Sequence, residues 1–387
     1  MKYDFDTIID RKNSGCFKYD AMKMVYGRDD LLALWVADME FAIAPEILSK
    51  IKERIEHPIF GYNYKDDTQY SNFINYVEEH HDWKLDPSWL QMSPGIVPAI
   101  NFMVKIFTNP GQRILIQQPV YTPFKDAVTA NDRTLVVNNL IETDGYYTID
   151  FDDLDKKLEN CKIFIFCSPH NPVGRVWTKE ELLKVGALCQ KHKVILITDE
   201  IHNDLIFSES THTPIAKLND FAEFTITLMA PSKTFNIAGL QSAIIICSNP
   251  KLLDPIKKFL TDVHIFGSNA IGAVAFDAAY ERGGEWLKEL LTYLEANRDY
   301  VFERISKMKG VKMLKPEGTF LAWLDFRENN ISNRGLQNFC IHEAKLALNA
   351  GISFGKPGSG FMRLNFGCPR SILVQAMDNL ERALKRI

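Results

Sequence analysis

The sequence predicts an α/β protein, with a mostly parallel central sheet flanked by helices and a smaller α+β part beyond it. Three observations carry that expectation. Apolar runs without polar alternation recur at Arg113–Gln117, Lys162–Cys167, Val194–Thr198 and Phe224–Met229, and strands of this kind belong to sheets covered on both faces. A helical pattern separates two of these runs, which is βαβ grammar and implies parallel strands. From about residue 285 the pattern changes to a long amphipathic helix and shorter strand-like pieces, marking a change of domain.

The first run, RILIQ, and the second, KIFIFC, are short enough for strands and too short for buried helices. Between the second and third lies Lys179–His192, where Leu182, Val185, Leu188 and Cys189 recur at helical spacing. Thr178 with Glu181 three residues on predicts a capping box at its start. Trp286–Lys307 predicts one long helix with Leu287, Leu290, Leu291, Leu294, Val301 and Ile305 on its buried stripe. Strands are expected at Thr319–Phe326 and Phe361–Phe366.

Composition narrows the class. The 387 residues are 46% hydrophobic and 24% charged with a formal net charge of −4, so a sizeable core is available and no global attraction to nucleic acid or anionic membranes exists. No apolar run reaches the roughly 18 residues of a membrane span, and Met1–Asp10 lacks a signal-peptide core. The seven cysteines are scattered without a CxxC pair; a reduced cytoplasmic chain without a zinc site is expected.

The informative residues follow the strands. The second run opens into Ser168-Pro169-His170-Asn171-Pro172-Val173-Gly174, the third ends in Asp199-Glu200-Ile201-His202, and the fourth leads into Ala230-Pro231-Ser232-Lys233-Thr234. Open α/β sheets bind ligands beyond the carboxyl ends of their strands, so an Asn, an Asp and a Lys are offered to one crevice. A lone Asp or Lys there is ordinarily a solvated loop residue; three in order, with Pro and Gly setting the turns, argue for a site.

The motifs SPHNPVG, DEIH, SKTFNIAG and FMRLNF, in that order, resemble the fold-type I pyridoxal-phosphate (PLP) enzymes, the aspartate aminotransferase superfamily, over essentially the whole chain. The resemblance implies a large PLP-binding domain over residues 51–285. It also implies a smaller α+β domain built from the N- and C-terminal segments, 1–50 and 286–387. Lys233 is then the imine-forming lysine and Asp199 the carboxylate beside the cofactor's ring nitrogen. Asn171 matches the donor to the phenolic oxygen, with His202 near the cofactor, and Tyr121 matches the ring that stacks on it. Gly95, Ile96 and Val97 are expected to form the phosphate cradle where a helix starts, with a hydroxyl from Ser232. Tyr64 resembles a tyrosine that reaches the phosphate of the other subunit, which implies a homodimer with shared active sites. Arg363 matches the substrate-carboxylate anchor, whose fork suits a carboxylate.

LWVADMEF at 34–41, GYNYK, SPGIVPAI, QPVYTPF and SKTFNIAGLQ resemble the cystathionine β-lyase (C–S lyase) branch. Gln241 stands where many aminotransferases carry a phosphate-binding Arg, and this branch shares that Gln. The implied activity is β-elimination from a small sulfur amino acid, with Trp35 in a segment resembling the substrate-channel wall. A true aminotransferase remains a rival reading, and a regulatory binding protein that keeps the fold is a rival of another class. Three features are read as background. Gly355–Gly360 lacks P-loop order and is expected to be a turn delivering the Arg363 strand. His80 and His81, as sequence neighbours, cannot share a metal on a helix, and a solvated face is expected. His170 is expected to be a packed or hydrogen-bonded neighbour of the motif.

Overall fold

The computed structural model describes residues 1–63 and 67–386; Tyr64 therefore lies outside the described residues. Seven strands form the main sheet: β1 (Leu90–Ser93), β2 (Arg113–Gln118), β3 (Thr134–Asn139), β4 (Cys161–Cys167), β5 (Ile195–Asp199), β6 (Thr225–Met229) and β7 (Ala243–Ile246). Their order is β1-β7-β6-β5-β4-β2-β3. Only β7 runs against its neighbours β1 and β6, and the other pairs are parallel. The four strands expected from apolar runs are present. The sequence reading missed β1, β3 and β7, and β1 carries the phosphate-loop motif at its end.

Alternate residues of β4 explain why the run is apolar throughout. Ile163 and Ile165 pack into one core cluster with helix Ile96–Phe107, while Phe164 and Phe166 pack into another with helix Lys179–His192. A strand with a helical layer on each side has no face left for water. The Lys179–His192 helix starts with the anticipated capping box, Thr178 and Glu181 bonding reciprocally. The fold departs from sequence order between β2 and β4, since β3 lies outside β2 while β5 and β6 follow on the far side of β4. Such a switch point opens a crevice at the strand ends.

A second, antiparallel sheet follows in the order β8 (Lys312–Met313), β9 (Leu321–Asp325), β11 (Phe361–Asn365), β10 (Asn349–Ala350). The long helix spans Gly284–Ser306 and buries all of its expected stripe except Leu291, which is half-buried. The two sheets share a core: Leu34, Met39 and Phe41 from the amino-terminal stretch pack in one cluster with Phe235, Leu290, Leu324 and Leu364. Leu32–Ala33 also pairs in parallel with Leu346–Ala347, tying the amino-terminal stretch to the second sheet's side. Among the described residues no helix is long and apolar enough to cross a membrane.

One background expectation needs correcting. His81 is not on a solvated face: it is buried, and its Nε2 lies 2.8 Å from the Asp204 carboxylate. The last turn of the Ser71–His81 helix faces inward there, onto the loop that follows β5. His80 stacks on Tyr76 with ring centroids 3.9 Å apart.

Candidate active site

Three strands end at one place because their loops are stitched together. The Ser168 N–H donates to the Asp199 carbonyl (3.0 Å), Glu200 N–H to the Leu228 carbonyl (2.9 Å), and Tyr121 N–H to the Asn171 carbonyl (3.2 Å). The SPHNPVG turn closes with His170 N–H on the Arg175 carbonyl. Gly174 sits there at φ +71°, where an added Cβ would meet Pro316 at 2.4 Å, so only glycine fits. His170, buried behind the turn, places its Nε2 2.8 Å from the Pro119 carbonyl.

The stitched loops enclose a cavity of about 320 Å³ lined by Gly95, Tyr121, Asn171, Asp199, His202 and Lys233, with Ile96, Val97, Ser232, Gln241 and Ala37 completing its wall. That volume falls in the range of cofactor sites, roughly 300–1,000 Å³. The wall thus includes every expected cofactor-contact residue except Tyr64. One end is the start of helix Ile96–Phe107, with Gly95 at the cap position. The first N–H groups of a helix have no partner within it and favour an anion.

Burial sets the charges. Lys233 is driven down to about 8, first by loss of water, with Asp38 and Asp199 opposing and Arg363 and Lys18 assisting. Its Nζ donates to the Ala37 carbonyl (2.5 Å). Asp199 is pushed up to about 7 by burial, against the Ile201 N–H it accepts (3.1 Å) and the nearby Lys233. His202 falls to about 3, from burial first and then from Lys233 and Arg363, so it is neutral near pH 7. Its Nδ1 is buried without a hydrogen-bond partner among the described residues.

Arg363 comes from β11 and meets the cavity through Asn171. Its Nη1 donates to Asn171 Oδ1 (3.1 Å), and its Nη2 to the Trp35 carbonyl (2.8 Å) and Asn349 Oδ1 (2.7 Å). Among the described residues its Nε–H has no partner and no carboxylate pairs with it. Burial lowers its pKa to about 10. A buried cation held only by neutral groups is costly unless an anion joins it.

Trp35 reaches Arg363 through its backbone. The indole Nε1–H donates to the Lys18 carbonyl (2.9 Å), and the ring packs between Phe17 and Tyr26. It borders an adjacent cavity of about 260 Å³ with Tyr26, Asn349 and Met362, separate from the one around Lys233. Asn349 and the Ala37 carbonyl were not anticipated. A two-residue strand and a backbone oxygen leave no mark in a sequence.

The family model for aminotransferase class I and II matches residues 31–380. The chain belongs to that family. It is 41% identical over 385 residues to cystathionine beta-lyase PatB of Bacillus subtilis (strain 168), covering 98% of this chain and 100% of that protein. It is 33% identical to protein MalY of Escherichia coli (strain K12) across the full length of both. Among solved structures, PLP-containing cystalysin from Treponema denticola superposes with a TM-score of 0.97 at 36% identity over all of both chains. The PLP-bound C–S lyase from Staphylococcus hominis gives 0.92 at 35% identity, over 99% of this chain and 98% of that one.

Proposed function

We propose that this chain is a PLP-dependent carbon–sulfur lyase. It cleaves the Cβ–S bond of cystathionine or cysteine-type amino acids, releasing homocysteine or hydrogen sulfide together with pyruvate and ammonia. The observation that carries the reading is a buried low-pKa lysine facing a buried acid, beside an arginine without an anionic partner, in a chain 41% identical end to end to a cystathionine beta-lyase.

The wall suits the cofactor. Asp199, costly as a buried anion, would be paired by a protonated ring nitrogen. Asn171 spends its Oδ1 on Arg363 and keeps its amide N–H₂ to donate to a phenolic oxygen, while the unpaired Nδ1 of His202 offers a neutral partner nearby. Gly95, Ile96, Val97 and Ser232 would hold the phosphate, and Tyr121 would cover the ring. When bound, PLP supplies the aldehyde that captures an amine and the electron sink that makes the Cα proton acidic.

The chain's own residues account for the rest. Arg363 would bind the substrate carboxylate through its unpaired Nε–H and the neighbouring Nη2 N–H, which exchanges a neutral acceptor for the anion, and so fix which way the Cα–H bond points. Lys233, depressed toward neutrality, is a general base of suitable strength for that proton. Loss of the proton is balanced by departure of the Cβ–S electron pair with sulfur, and the three-carbon remainder takes up water to end as pyruvate and ammonia. Purified protein should show a visible absorbance band that cystathionine or cysteine perturbs while pyruvate accumulates, and Lys233→Ala should lose both. Pyruvate from neither substrate, with amino transfer to a 2-oxo acid instead, would replace this reading by an aminotransferase.

We also infer a homodimer in which Tyr64 reaches the other subunit's phosphate site. Ile59, Phe60 and Tyr62, just before it, are exposed at 68%, 56% and 107%, and Phe266 at 67%, a density of bare apolar side chains that a partner copy would cover. A sedimentation mass of one chain would reject it. Seven unpaired cysteines fit a cytoplasmic location.

A further inference from the structure

The amino-terminal stretch 35–41 is fastened carbonyl by carbonyl, and the groups that fasten it include the two central to the proposed chemistry. Arg363 donates to the Trp35 carbonyl, Asn365 Nδ2 to Val36 and Asp38, Lys233 to Ala37, and Asn236 Nδ2 to Met39 and Phe41. Beneath this strap lies a cluster of four charges. Lys18, 1% exposed, donates from Nζ to the Asp38 carbonyl (3.0 Å) and lies 2.5 Å from Glu40 Oε1 and 3.3 Å from Asp38 Oδ1. Arg11 closes the ring, 2.7 Å from Asp38 and 2.9 Å from Glu40. Tyr19 OH donates to Glu40 as well.

We propose that Lys18, through Asp38 and Glu40, is a positioning residue for the reaction, holding the strap where it receives Lys233 and Arg363 and balancing the charge that Lys233 feels. The inference rests on Lys233 being the reactive amine, as proposed above. Two facts argue against mere packing. A fully buried lysine costs several kcal/mol unless paired, and an apolar side chain would fill the space under the strap without that cost. The cluster is also electrically neutral only while complete, since two cations face two carboxylates. The charged groups acting on Lys233 are Asp38 and Asp199, which raise its proton affinity, and Arg363 and Lys18, which lower it. His202 also faces it and is neutral near pH 7. Removing Lys18 leaves a net negative charge one peptide away from the Lys233 acceptor, and removing Glu40 leaves a net positive one.

The signs of these effects are opposite, which a loosened fold cannot imitate. The test is competitive acetylation of the cofactor-free protein across pH 6–10, with Lys233 reactivity read from its peptide by mass spectrometry. Lys18→Met should cut the free amine at neutral pH about tenfold, a shift of about one unit upward. Glu40→Gln should raise it, Lys18→Met combined with Glu40→Gln should return it toward wild type, and Lys18→Arg should leave it there. If Lys18→Met alone does not fold, Glu40→Gln and the paired variant still decide. Wild-type profiles in all folded variants, or shifts of the same sign in Lys18→Met and Glu40→Gln, overturn the proposal. The labelling needs no turnover, so a wild-type protein that makes no pyruvate would refute the lyase reading without touching this result.

Discussion

Arg175 and Arg363 are both buried arginines, yet their surroundings differ in kind. Arg175, 1% exposed, lies 3.0 Å from Glu181 and 2.8 Å from Glu317 and packs against Trp177. Arg298, equally buried, has Glu209, Glu295 and Asp299 around it. Arg363 has two amide oxygens and a backbone carbonyl. The first two have their anions built into the chain and serve the fold; the third has none among the described residues, and on the proposed reading its anion is the substrate's carboxylate. Satisfied charge marks structure here, and unsatisfied charge marks the site.

Replacing each arginine by methionine should separate the two roles. Arg363→Met should lower kcat/KM for cystathionine about 10³-fold, roughly 4 kcal/mol for two charged hydrogen bonds. Its unfolding free energy should stay within about 1 kcal/mol of wild type, because no partner charge is stranded. Arg175→Met should do the reverse, losing about 3 kcal/mol of stability by leaving Glu181 and Glu317 unpaired, with kcat/KM per folded molecule little changed. Urea unfolding and pyruvate assays on both variants check the contrast. An Arg363→Met protein that unfolds as readily as Arg175→Met would erase it.

Arg363 could be singled out from sequence only by motif, and Arg175 could not be told from it by pattern at all. Both sit among apolar neighbours, and the sequence does not say which carboxylates come near. Four of the parallel strands were legible because burial on two faces leaves an uninterrupted apolar run, as in Cys161–Cys167, whereas the half-exposed edge strand Thr134–Asn139 leaves none. The edge strand Leu90–Ser93 and the antiparallel Ala243–Ile246 have only four residues each, too short for periodicity to speak. Asp199, Asn171 and Lys233 were legible because each follows a recognisable strand. Lys18 was not, since a lysine in a charged amino-terminal stretch looks solvated until Asp38 and Glu40 fold over it. His81 misled for the same reason, its partner Asp204 being 123 residues away.

The same contrast extends to protons. Lys233, stripped of water by burial and with its flanking charges partly cancelling, is lowered to about 8 where an exposed lysine titrates above 10. Its free-amine fraction therefore grows as pH rises, and PLP capture by the cofactor-free protein should quicken about fivefold from pH 7 to 8. The sign for stability follows from the same shift. The unfolded chain holds this proton to higher pH than the folded one, so stability rises between about 8 and 10.5 on this group's account. Stopped-flow absorbance gives the first and chemical denaturation the second. A rise of about tenfold over the same unit would mean that Lys233 keeps an ordinary lysine pKa, and a flat rate that its amine is already free at pH 7.

At the opposite end of the cavity the proposed phosphate end has the reverse character, with N–H dipoles at the helix start and, among the described residues, no cation in the wall beside them, Gln241 standing exposed at its edge. A charge added there works through water, so its effect should be the smallest of the series. Gln241→Arg should tighten PLP retention about threefold, roughly 0.6 kcal/mol, as for an exposed ion pair, and the gain should vanish in 0.5 M salt because exposed pairs are screened. Equilibrium dialysis of PLP at two salt concentrations measures it. A gain of 10²-fold or more that survives salt would mean the phosphate end is as dry as the Arg363 end, and that neutral donors are a poor substitute for charge there.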